Sequence, residues 1–66
     1  MISDLEILRC ANLMVRTHGD EAVDFARKRV DALDAKGDPE GRRVWIRITA
    51  AVAGLLGQPL QSERLQ

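Results

Sequence analysis

A thiol and an imidazole, Cys10 and His18, are the side chains best suited to nucleophilic catalysis or transition-metal binding, and the chain has one of each. If both lie on one helix, their separation of eight residues puts them about 12 Å apart along its axis. A nucleophile and its base must share a hydrogen bond of about 3 Å, so this pair makes no catalytic dyad. Zinc needs at least three protein ligands close together, and these two stand apart. The expectation is therefore no enzyme, no cofactor and no metal site. Cys10 reads as a small apolar packing residue and His18 as the end of a helix, its imidazole near the negative pole. A single Cys also excludes an intrachain disulfide.

The cations offer a different chemistry. Arg42, Arg43 and Arg47, with Arg27, Lys28 and Arg29, could line a phosphate backbone, with the third helix in the major groove of a helix-turn-helix. Composition argues against it. Ten Lys plus Arg balance ten Asp plus Glu, so the general basic field of nucleic-acid binders is missing. One Trp, one Phe and no Tyr leave little to stack on bases. A small nucleic-acid-binding regulator using these residues is the alternative reading, and solvated surface charge is the simpler one. The same arginines beside Trp45 and Ile46 also suggest a helix lying on an anionic membrane, but its polar face is too thin. The apolar run from Ile48 to Leu56 is nine residues, against about 20 needed to span a bilayer.

Positioning these residues falls to the stretch from Asp38 to Leu56, the longest apolar segment and the one holding the Trp. Asp38 can cap a helix by accepting a backbone N–H. Pro39 fits the first helical position, where its missing donor has no partner, and Glu40 complements the positive pole. Val44, Ile48, Ala51, Val52 and Leu55 fall to one side of Trp45, and Leu56, Ala53 and Ile46 to the other. That apolar arc of about 200° is wider than one neighbouring helix covers. Gly57 and Pro59 then end the helix near Leu56.

Two further helices precede it. Ser3 and Glu6 form a capping box, with Ile2 closing over Ile7, and start a helix at Asp4 that ends at His18 before Gly19. Leu5, Leu8, Ala11 and Val15 make its stripe, Ile7, Met14 and His18 its edge, with Cys10 and Leu13 farther round. Asp20 is placed to cap a second helix over about 21–35, burying Ala22, Phe25, Ala26, Val30 and Leu33. Asp24 with Lys28 and Arg27 with Asp31 are i,i+4 acid-base pairs on its outer face, and Arg29 lies where its stem can pack. Lys36 and Gly37 finish it. Links this short predict an all-α fold, a small antiparallel three-helix bundle or array with helices 4–18, 21–35 and 39–56. Residues 1–58 form the single domain, and 59–66 a frayed polar tail.

Ala11 ahead of His18-Gly19-Asp20-Glu21-Ala22, then Ala26 and Arg29, Gly37-Asp38 with Gly41, and Trp45, Ile48, Ala51 and Leu55 together carry a family resemblance. Over roughly residues 9–56 the chain resembles a family of short uncharacterised alphaproteobacterial helical proteins. The resemblance implies a compact helical domain of unknown function and assigns no catalytic residue.

At 66 residues, folding hides only about 60% of the extended-chain surface, so a lone monomer is marginal. With disulfides excluded, self-association is the support left. The expected protein is a cytoplasmic, non-enzymatic interaction module, partnered by itself as a homodimer or by another protein. The opening Met-Ile-Ser-Asp lacks the basic start of a secretory signal. Ile7, Cys10, Met14, Trp45, Ile48, Val52 and Leu55 are the candidate core and interface residues. Asn12 borders the stripe and is placed to fix pairing through its amide. Ala50 and Gly54, four apart, read first as helix propensity with a tolerated Gly, and alternatively as room for a close helix contact within or between chains.

Overall fold

The computed structural model describes residues 2–57, so the expected tail 59–66 lies outside the described residues. Of these, 91% are helical and no strand occurs among them, which makes the fold all-α. Helix α1 spans Asp4–His18, a 3-10 turn follows over Gly19–Glu21, α2 spans Ala22–Lys36, and α3 spans Pro39–Leu56.

The caps explain these limits. The Ser3 hydroxyl accepts from the Glu6 N–H at 3.2 Å, and Ile2, half-buried, packs against the core to which Ile7 belongs. At the other end the carboxylate of Asp38 accepts from the Gly41 N–H at 3.0 Å. Asp38 has a second task, because its own N–H donates to the Leu33 carbonyl at 3.0 Å while Gly37 donates to Asp34 at 3.1 Å. Those two bonds close α2 in a Schellman motif, with Gly37 left-handed at φ 79°. One residue thus seals α2 and opens α3, and no free linker lies between them. Gly41 leaves room for the capping carboxylate, since a Cβ there would stand 2.7 Å from Asp38 Oδ2 and displace that side chain.

The first corner is built otherwise than expected. Asp20 does not cap the second helix; it sits inside the 3-10 turn, and the residue before α2, Glu21, makes no side-chain cap either. Gly19, at φ 57° and ψ −132°, donates its N–H to the Val15 carbonyl and accepts at its own carbonyl from the Ala22 N–H, so the backbone itself bridges the two helices. The turn thus takes up the Ala22 N–H, one of the orphan donors at the start of α2, without a carboxylate cap.

Helix α3 packs against both α1 and α2, while α1 and α2 touch each other little. The core is made of Ile7, Ala11, Ala22, Val23, Ala26, Ile48, Val52 and Ala53, with Thr49 its buried polar residue. Thr49 satisfies its hydroxyl by donating to the Trp45 carbonyl at 2.7 Å. Alanines at the contacts let the backbones approach closely, and this selects the inward faces. On α1 the buried line runs through Ile7 and Ala11, with Cys10, Met14 and Val15 packed beside it. Leu5 and Leu8, expected in the stripe, are 58% and 45% exposed, because a leucine-centred contact would hold α3 farther off than Ala11 does. On α2, Val23 takes the place expected for Phe25, which lies at the surface.

Candidate interaction surfaces

The expected site residues divide into layers. Ile7, Ile48 and Val52 are buried; Cys10, Met14 and Trp45 are half-buried against the core; Leu55, at 44% exposure, is at the surface. Cys10 is a free thiol. His18 turns away from it and stacks on Phe25, ring centroids 4.2 Å apart and planes 19° from parallel. This accounts for Phe25 outside the core, since the imidazole at the end of α1 covers one ring face. Among the described residues no group of three His, Cys, Asp or Glu side chains is placed to hold a metal ion.

The six cations do not share one face. The Arg29 guanidinium carbon lies 5.5 Å from the Trp45 ring centroid, a cation–π contact that also covers the half-buried indole. Arg42 pairs with Asp34 at 3.5 Å across the α2–α3 corner. Arg47 pairs with Asp4 and reaches the Ile2 carbonyl at 3.4 Å, tying α3 to the start of α1. Arg27, Lys28 and Arg43 line three different surface grooves, which also contain Asp31, Glu21 with Asp24, and Glu40. The pairs Asp24–Lys28 and Arg27–Asp31 are not closed; on an exposed helix face their Coulomb gain is too small to hold two long side chains.

What remains is apolar. Leu5, Leu8, Leu13, Phe25, Ile46 and Leu55 are between 39% and 59% exposed. Half of them belong to α1, whose outer face also carries Asn12, its amide donating to the Leu8 carbonyl at 3.2 Å. Ala50 and Gly54 are exposed too, and a Cβ on Gly54 would meet nothing within 4 Å among the described residues, so none of the described helices lies against it. No helix among the described residues is long and apolar enough to cross a membrane. The exposure of Leu5 and Leu8 escaped the sequence reading because a wide apolar arc does not say which half α3 will take. The available signal was Ala11, the small residue at which backbones can meet.

No protein-family model, curated protein or solved structure matches this chain.

Proposed function

We propose that the protein is a non-enzymatic helical interaction module that self-associates as a homodimer. The three helices of its single domain, residues 1–58, would form an antiparallel array around α3. The observation that carries this reading is an inversion of side-chain size. Four of the eight buried apolar residues are alanine, and the largest fully enclosed side chain is Val52, while three leucines of α1 and Ile46, Leu55 and Phe25 are left about half exposed. Each half-exposed leucine forgoes on the order of 1 kcal/mol of hydrophobic stabilisation, a substantial loss in so small a domain. A second copy of the chain would recover it. The membership suggested by the alphaproteobacterial resemblance fits the same picture, since Ala11, Ala22, Ala26 and the corner residues Gly37, Asp38 and Gly41 all have structural tasks.

The nucleic-acid reading draws less support. Its six cations are split between internal partners and three grooves that each contain an acid, so they present no continuous basic track. The test of self-association is absolute mass by light scattering over a dilution series. Twice the 7.3 kDa chain mass at high concentration is expected. A folded monomer at every concentration up to about 1 mM, weaker than any useful self-affinity, would refute the proposal.

A further inference from the structure

Resting on that self-association reading, we infer that the dimer forms by parallel pairing of α1 with α1 of a second copy, along the seam Leu5, Leu8, Asn12 and Val15. The spacing of these residues, three then four then three, is that of a and d positions in a coiled coil. Helix α1 carries this pattern twice. Ile7, Ala11, Met14 and His18 are spaced four, three and four on the inward side, the first three against the core and His18 on Phe25 of α2. The second seam lies about 100° round the helix, where Leu5 and Leu8 are 58% and 45% exposed and Asn12 is exposed. Val15, half-buried, borders both seams.

Charge decides the occupant and its direction. With Leu5 and Asn12 at a, the flanking e positions are Arg9 and Arg16, and the g positions are Asp4, Ala11 and His18. Antiparallel pairing sets e against e, so the arginines of the two copies would confront one another. Parallel pairing sets g against e, which places Asp4 beside Arg9 of the partner subunit, twice over by symmetry. Asp4 already accepts from Arg47, yet its side chain is 96% exposed and has room for a second guanidinium. Asn12 supports the same arrangement. In a parallel pair it meets Asn12 of the partner subunit, and an amide at one a position fixes register and two-stranded assembly at some cost in affinity. In the single chain that amide turns back to the Leu8 carbonyl, a weak local bond it can exchange for the partner's amide. The seam has four layers, so the dimer is expected to dissociate on dilution.

The test is site-directed cross-linking of the full chain, in a Cys10→Ala background that removes the native thiol. Leu8→Cys puts a thiol at a d position, where parallel pairing brings two copies of it face to face, and Ile46→Cys puts one on exposed α3 as the comparison. In a glutathione redox buffer the position-8 variant is expected to form covalent dimers and the position-46 variant to stay monomeric, both keeping wild-type helicity. Asn12→Val is expected to tighten association by about tenfold or more. If light scattering shows a dimer but position 8 does not link, or Asn12→Val leaves the affinity unchanged, the α1 seam is wrong and self-association stands. If the chain is monomeric at all concentrations, both fall.

Discussion

Replacing Asp38 by alanine removes the side-chain bond that starts α3 and leaves the backbone bonds of the corner in place. The carboxylate accepts from Gly41 at 3.0 Å, whereas the bond from the Asp38 N–H to Leu33 and that from Arg42 to the Asp38 carbonyl, both 3.0 Å, are available to any residue. Asp38 is partly shielded from water, so its cap belongs in the upper part of the usual range of about 0.5 to 2 kcal/mol. A cost of about 1.5 kcal/mol converts, at about 4 to 8 °C per kcal/mol for a domain this small, to a fall in Tm of about 6 to 12 °C. The effect should be cooperative, because α3 packs against both other helices and Asp38 also closes α2. Circular dichroism melts at a single fixed chain concentration would measure it, since dimerisation makes Tm concentration-dependent. Asp38→Ser, which keeps an acceptor, should recover most of the loss. If Asp38→Ala melts within about 1 °C of wild type, the corner is held by its backbone bonds alone and the capping argument fails.

Two smaller perturbations separate core from surface. Val52→Ala empties the largest fully enclosed side-chain site, and urea unfolding should show a loss of about 2 to 3 kcal/mol; under 1 kcal/mol would mean that the helices close over the gap. Arg47→Ala breaks the ion pair with Asp4, whose partners are 41% and 96% exposed, and should cost less than about 1 kcal/mol, with the difference vanishing in high salt. A larger, salt-independent cost in the same denaturation assay would show that the Arg47 stem packs rather than pairs.

Helix ends were legible where a side chain writes them. Ser3 with Glu6, and Asp38 with Pro39, place the starts of α1 and α3, and Gly57 at φ 68° places the end of α3. The start of α2 was misread because Asp20 has the right chemistry for a cap, while the bridging is done by main-chain atoms around Gly19, which no side-chain pattern records. Faces were harder to read than ends. Leu5, Leu8 and Phe25 outrank Ala11, Ala22 and Val23 in hydrophobicity, so apolar weight points to the wrong line. Contact geometry depends on how near two backbones can come, and there the small residues prevail. The candidate interaction surface was legible in outline, through Asn12 and the surplus apolar arc. Its location on the outer side of α1 was not, because that follows from which side α3 occupies.

Mechanically, the molecule is a bracket with one arm clipped on. Main-chain bonds through Gly37 and Asp38 close α2 and open α3 at one residue, so these two helices meet with no free linker between them. Helix α1 is joined to α2 through the turn at Gly19 but touches it little beyond that; it is steered chiefly by the α3 surface it rests on and by the Arg47 clasp at its start. Whatever touches the far side of α1 therefore pulls on a part whose lateral support comes mainly from α3.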